Sequence, residues 1–346
     1  MIQDSPVDAF IDEQPQIIAE TLHAVRTRAS GWSAGDFDGI VLVGSGSSFN
    51  ALTVAASAFA AAGRGSVRVL GPTSFRGTPA GLLPRRHLVV VLSQTGTSTT
   101  TIEAATEAHA AGQATLIVTA EAESPMAAVG APMIVLPVGP EPVGPKTKGY
   151  TASIAGLHAI AERIGGPAIP PFDPGAMANL ITGSRSAAED LASRFGALDY
   201  VLIGGEGDQL GTALEASLKI AEIAGVPTAA FETEEILHGR LHGLTANSLC
   251  LLATTTTGQR EVGLRTAAAM AKRGVAVRLL NLSGVPTQFD WPQGLFWPST
   301  TLAPLAAIIP AQCLAAALAR RRGLEPHAMR YPGLSADLAI KRGPSE

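Results

Sequence analysis

Short apolar runs bounded by polar residues recur at positions 41–44, 88–92, 115–119, 201–204, 247–252 and 275–280. Runs of this length, rich in Val, Ile and Leu, predict strands buried on both faces, as parallel strands are. Between them lie Ala-rich stretches ended by glycine, residues 102–112 among them, which predict helices. Strands alternating with helices imply parallel sheets covered on both faces, with ligands at the strands' carboxyl ends.

The runs also repeat. V-L-V-G at 41–44 returns as V-L-I-G at 201–204, and 87–92 is matched by 247–252, both at an offset of 160 residues. Each second run leads into a Thr-rich loop, a helix and a further strand, so a duplicated α/β unit accounts for the register. The predicted fold is α/β, two tandem doubly wound parallel-sheet domains. The first covers residues 1–168 and the second 175–346 with a C-terminal tail. The Pro- and Gly-rich stretch at 165–174 links them. Ile11, Ile18 and Leu22, at helical spacing, mark an amphipathic lead-in over about the first 35 residues. Residues 302–319 carry no charge, but their alanines, Pro304, Pro310 and Gln312 favour a buried helix over a membrane span.

Composition narrows the partners. With 46% hydrophobic and 16% charged residues in 346, the chain is globular, and its net charge of −4 argues against nucleic acid. Cys250 and Cys313 sit in apolar surroundings and form no disulfide framework, which fits the cytoplasm. The acidic start M-I-Q-D-S-P-V-D has none of the features of a secretory signal.

Two loops at the predicted sheet edge carry hydroxyls. Seven of the nine side chains from Ser93 to Thr101 are Ser or Thr, and the run S-Q-T-G-T-S-T-T-T ends a strand and opens a helix. Helix-start amides backed by Ser and Thr oxygens, with a glycine at Gly96, suit one small anion such as a phosphate ester; a polar surface turn is the plainer alternative. Residues 44–50, G-S-G-S-S-F-N, begin like a dinucleotide fingerprint, but Phe49 replaces the third glycine and no acidic residue follows for a ribose. Ser47 and Ser48 are then a second hydroxyl pair for the same phosphate.

In the second half Asp208 reads as the N-cap and Gly225 as the stop of a helix. Leu214, Leu218 and Ala221 are its expected buried face. Glu215, Lys219 and Glu222 form a polar stripe beside that face, as either an exposed ion-pair ladder or the lining of a pocket where one carboxylate serves as a base. His238 and His242 are four residues apart, but Gly239 interrupts them and the H-E-x-x-H pattern is missing, so a proton shuttle or a structural role is preferred to a metal.

Five ordered motifs, G-S-G-S-S-F-N, L-S-Q-T-G-T-S, T-K-G-Y-T, A-L-E-A-S-L-K-I-A-E-I and E-E-I-L-H-G, carry a resemblance from about Ile40 onward. The chain resembles the sugar isomerase (SIS) family, specifically the isomerase half of glucosamine-fructose-6-phosphate aminotransferase and its free-standing relatives. That resemblance implies that Ser47, Ser48, Ser93, Gln94, Thr95 and Ser98 bind a sugar phosphate, with Gly46, Gly144, Lys146, Thr147 and Ala336 around the sugar. It implies that Glu222 moves a proton between C1 and C2, that His238 assists ring opening, and that Glu215 and Lys219 surround them. No cofactor is required for such general acid/base work.

Departures from the family pattern shape the expectation. The glutaminase half is absent from these residues, Arg240 replaces the usual proline after H-G, and Thr97 stands where Glu is usual. Lys146 replaces a small residue, and Ala336 stands where the synthase has a Schiff-base lysine, with Lys341 next nearest. The expected activity is glucosamine-6-phosphate deamination. Alternatives are a fructosamine-6-phosphate deglycase, a plain phosphosugar isomerase or, in another class, a phosphosugar-binding regulator. A homodimer binding a small phosphorylated sugar, with neither nucleic acid nor membrane as partner, completes the expectation.

Overall fold

The computed structural model describes residues 5–28, 32–79, 83, 86–195, 197–295, 297, 299 and 301–343; the first four residues of the acidic start lie outside it. Two compact units form, and each draws on several stretches of chain. One comprises Gln16–Glu141, Lys148–Ile169 and Tyr331–Glu346; the other Met1–Pro15, Pro142–Thr147 and Pro170–Arg330. They are called here the first-sheet and second-sheet units.

In the first-sheet unit, β1 (Gly39–Val43), β2 (Ser66–Leu70), β3 (His87–Leu92), β4 (Ala114–Thr119) and β5 (Met133–Val135) form a parallel sheet in the order β2-β1-β3-β4-β5. Every residue of β1 and β3 is buried, as their unbroken apolar runs require. Helices follow directly from these strands, α2 (Ser47–Ala60) after β1, the short α3 (Pro72–Arg76) after β2 and α4 (Thr99–Ala110) after β3. Val41, Val43, Val89, Val91 and Ile117 pack with Ile102, Ala105 and Met126 on one face of the sheet. Another helix, α5 (Lys148–Arg163), packs against α2 and is buried from Lys148 through Ala161. The predicted helix at 102–112 starts three residues earlier, at Thr99, so three of the loop's threonines belong to its first turn.

The second-sheet unit repeats the strand order. Here β6 (Tyr200–Gly205), β7 (Thr228–Glu232), β8 (Ser248–Thr254) and β9 (Ala276–Asn281) run parallel as β7-β6-β8-β9. The order reverses between β1 and β3 and again between β6 and β8, the position where such sheets open a crevice at their carboxyl ends. Around this sheet lie α6 (Pro174–Ser193), α7 (Asp208–Lys219), α9 (Thr257–Ala271) and α10 (Ala303–Arg321). The helix α10 packs against α6 and α7, and Arg320 near its end holds Asp8 at 2.9 Å and Glu189 at 2.8 Å. It is the one helix among the described residues long and apolar enough to cross a membrane, and 94% of its apolar window is buried within the protein.

The lead-in helix, α1 (Pro6–Arg28), buries Ile11, Ile18 and Leu22 as its spacing predicts. Residues 164–173 form no helix or strand, and Asp173 caps α6 through the amides of Gly175 and Ala176.

Candidate active site

Because β1 and β3 are neighbours in parallel register, their carboxyl ends deliver both hydroxyl loops to one edge of the first sheet. Gly46 precedes α2 with φ 57° and ψ −133°, a conformation that only glycine adopts without strain. Ser47 and Ser48 are the first two residues of that helix, and the Ser48 amide donates to the Ser45 carbonyl at 3.2 Å. In the second loop the Ser93 amide donates to the Val118 carbonyl at 3.0 Å and the Gly96 amide to the Ser93 carbonyl at 3.0 Å. Thr95 and Thr97 hydroxyls lie 2.8 Å apart, as do those of Ser98 and Thr101. Neither α2 nor α4 has a side-chain cap at its N-terminus.

Gln94 is held from two sides. Its carbonyl accepts from the Ala120 amide at 2.9 Å, and its Nε2 donates to Glu141 at 3.2 Å. Glu141, 6% exposed, also accepts from the amides of Lys148 at 3.2 Å and Gly149 at 3.1 Å. One carboxylate thus caps α5 and anchors the glutamine of the hydroxyl loop. A Cβ on Gly149 would lie 1.7 Å from Gln94 Nε2, so glycine there makes room for the amide. Glu141 escaped sequence reasoning because it lies in an irregular stretch, to which no helical or strand period applies, and its partners are seven, eight and 47 residues away.

The loop after β8 looks similar in sequence and behaves differently. Thr256 accepts from the Gln259 amide at 3.2 Å, while Gln259 Oε1 accepts from the amides of Thr255 at 2.9 Å and Thr256 at 3.2 Å. This capping box satisfies the start of α9 internally. The T-x-x-Q spacing signals it.

The carboxylate helix departs from expectation. Gly207, with φ 56° and ψ −125°, occupies the N-cap and Asp208 is the first helical residue. Glu215 and Lys219 are buried, 0% and 1% exposed at their side chains, whereas Leu214 and Leu218 are half-buried and Ala221 is exposed. The expected buried face is therefore rotated. The physical reason is that α7 packs on β6 and β7 and also on α10, which encloses Glu215 and Lys219 and leaves Leu214, Leu218 and Ala221 towards solvent.

Lys219 Nζ lies 2.5 Å from Glu222 Oε2 and 3.5 Å from Glu215 Oε1, so one ammonium serves two carboxylates. After Lys219 the helix widens into a π-helical turn, Ile220–Ala224, that ends at Gly225 with φ 61°. Such turns insert one extra residue and are frequent at functional positions. Glu222 lies on that turn and keeps 23% of its side chain exposed, so of the two carboxylates it is the one a substrate can reach.

His238 ends the short helix α8 (Thr233–Leu237); its ring is 71% exposed and pairs with Glu234 at 2.9 Å. Gly239, at φ 119°, breaks the helix before His242, and among the described residues no group of three or more His, Cys, Asp or Glu could hold a metal ion. The Arg240 guanidinium stacks 3.4 Å from the centre of the Phe231 ring. Gly144, Lys146 and Thr147 belong to the same unit as the carboxylates; Thr147 is buried, and a Cβ on Gly144 would meet Met329. Ala336 is exposed on the short helix α11 (Leu334–Asp337), in the tail of the first-sheet unit. Burial pushes the thiols of Cys250 and Cys313 up to about 12, with the charges of Arg185, Asp8, Asp12 and Arg320 adding smaller opposing effects at Cys313, and neither is a nucleophile at neutral pH. A cavity of about 230 Å³ beside Trp32, His109 and Gln113 lies at the amino ends of β3 and β4, the opposite edge from the loops.

A family comparison assigns the loop-bearing half: residues 37–163 match the SIS domain. Over those residues the chain is similar to the SIS domain. Beyond it, the chain is 26% identical over 345 residues to glutamine–fructose-6-phosphate aminotransferase (isomerizing) of Streptococcus pyogenes, a match covering 91% of this chain and 55% of that protein. The chain spans about half the length of the curated relatives it matches. Among solved structures, a Clostridium difficile 630 protein assigned as a phosphosugar isomerase superposes with a TM-score of 0.84 at 18% identity, covering 99% of each chain. Glucosamine-6-phosphate deaminase of Thermotoga maritima gives 0.73 at 21%, covering 92% of this chain and 98% of that one. At such identities the likeness establishes the fold, and it extends past the SIS domain to nearly the whole chain.

Proposed function

We propose that this protein is a cofactor-independent phosphosugar isomerase of the deaminating kind, acting on glucosamine 6-phosphate. The observation that carries the proposal is the Lys219-centred triad, in which a buried Glu215 and ammonium position a reachable Glu222 on a π-helical turn. In the proposed reaction the open-chain sugar loses its C2 proton to the Glu222 carboxylate. The resulting enolamine regains that proton at C1, which leaves a ketimine at C2. Water adds to the ketimine and ammonia leaves, so glucosamine 6-phosphate plus water becomes fructose 6-phosphate plus ammonia. His238 is assigned to ring opening.

The phosphate is assigned to Ser47, Ser48, Ser93, Gln94, Thr95 and Ser98. The starts of α2 and α4, which have no side-chain cap, support this choice over the loop after β8, whose capping box is complete. Gly144, Lys146, Thr147 and Ala336 are assigned to the sugar. Descent of both units from one duplicated ancestor is part of the same reading. Its support is the matching strand order and the near-identical backbone of Gly46 and Gly207 before α2 and α7. A cytoplasmic homodimer is likewise proposed.

Incubation of the purified protein with glucosamine 6-phosphate and an ammonia assay tests the reading. Ammonia release abolished by Glu222→Gln is expected. Exchange of solvent deuterium into fructose 6-phosphate without ammonia would replace deamination by simple isomerisation, and the absence of both reactions would refute the assignment.

A further inference from the structure

The hydroxyl loop from Ser93 to Thr101 contains no lysine or arginine, yet a phosphate ester is a dianion near neutral pH. The missing charge arrives from the far end of the chain. Residues 339–342 lie antiparallel to the loop: the Thr99 amide donates to the Ile340 carbonyl at 3.1 Å, and the Arg342 amide to the Thr97 carbonyl at 2.7 Å. The Thr99 hydroxyl adds a bond to the Ala339 carbonyl at 3.1 Å. These bonds flank Ser98 and Lys341 and make them a directly opposed pair of the kind without mutual backbone bonds. In such pairs the Cα atoms approach to about 4.5 Å and the side chains leave the same face.

We infer that Lys341 is the phosphate-neutralising residue of the loop, held beside Ser98 by the tail's backbone bonds. Its neighbour makes the contrast. Arg342, one position on, leaves the opposite face and is engaged with Glu103 at 3.4 Å. Lys341 is exposed and makes no ion pair among the described residues, so its ammonium is available to a ligand. The tail also occupies the first amide of α4, which leaves the ligand the following amides, the hydroxyls and the Lys341 charge. All of these groups belong to one compact unit, so the assignment depends on no geometry between units. It does rest on the assignment of this loop to the sugar phosphate.

The test is calorimetric titration of the full-length protein with glucosamine 6-phosphate and with unphosphorylated glucosamine, using the parent, Lys341→Met and Arg342→Met. Both side chains are exposed, and circular dichroism checks that the variants stay folded. Lys341→Met is expected to weaken the phosphorylated ligand about tenfold at low salt, to flatten the salt dependence of its affinity, and to leave glucosamine unaffected. Arg342→Met should match the parent, and Lys341→Arg should recover most of the affinity. Equal binding by parent and Lys341→Met, or equal losses in both Met variants, would overturn the inference while leaving the loop assignment intact. A parent that does not distinguish glucosamine 6-phosphate from glucosamine would instead overturn the loop assignment, and the role of Lys341 with it.

Discussion

Replacing Lys219 by methionine keeps an apolar stem of similar length and removes the one ammonium shared by Glu215 and Glu222. Glu222 is 23% exposed and can turn to solvent, whereas Glu215, at 0%, has no such escape. The Glu215 carboxyl then either stays charged without its cation or takes up a proton. Protonating an ordinary glutamate at pH 7 costs about 4 kcal/mol, since its unperturbed pKa is about 4.3 and each unit is worth about 1.4 kcal/mol. Removal of one partner from a buried ion pair costs about 3–5 kcal/mol, so both routes lead to the same range. A domain stable by only about 5–15 kcal/mol would lose a large share of that margin. Urea unfolding followed by circular dichroism measures the change, with the m value checking that the transition itself is unaltered. Glu215→Gln in the Lys219→Met background should restore most of the loss, because the amide brings no charge. A Lys219→Met protein within about 0.5 kcal/mol of the parent would refute the burial argument, since that is the scale of an ordinary surface substitution.

Glu222→Gln should lower ammonia release from glucosamine 6-phosphate by at least a hundredfold with little change in KM, the loss typical of a missing general base. Unchanged turnover would remove Glu222 from the chemistry. Burial holds His158 well below its ordinary value of 6.5, at about 4, so it is neutral when folded and gains a proton more readily when unfolded. Its contribution is fully present above pH 6.5 and is lost as pH falls towards 4. By pH 5 the loss is about 2 kcal/mol, and His158→Leu should flatten this limb of the urea-midpoint profile. Gly149→Ala should displace Gln94 and raise the KM for phosphorylated sugars several-fold while leaving binding of unphosphorylated glucosamine unchanged. Equal KM values for Gly149→Ala and the parent would show that Gln94 does not hold the phosphate.

Legibility in the sequence followed the range of each interaction. The runs forming β1, β3, β4, β6 and β8 announce themselves because a strand buried on both faces is largely apolar, and β9, an edge strand interrupted by Arg278, still keeps enough of its run to be seen. The edge strands β2 and β7 are half-exposed and carry polar residues, and β5 has only three residues, so none of these produces that signal. Ile11, Ile18 and Leu22 mark the inner side of α1, whereas α7, packed on two sides, hid which of its faces was buried. The triad's residue types and spacing were visible at i, i+4 and i+7; that Glu215 and Lys219 lie wholly inside, and that a π-helical turn carries Glu222, was not.

By itself the sequence established the alternation of buried strands and helices, the repeat at 160 residues, the hydroxyl-rich loops and the run of Glu, Lys and Glu, because each is written in neighbours a few positions apart. Only the tertiary structure decided that Glu141 clamps Gln94 to the start of α5 and that Lys341 stands opposite Ser98. Those outcomes depend on groups tens to hundreds of residues apart meeting in space. Hydrogen-bond competition among such groups has no period along the chain by which it could be read.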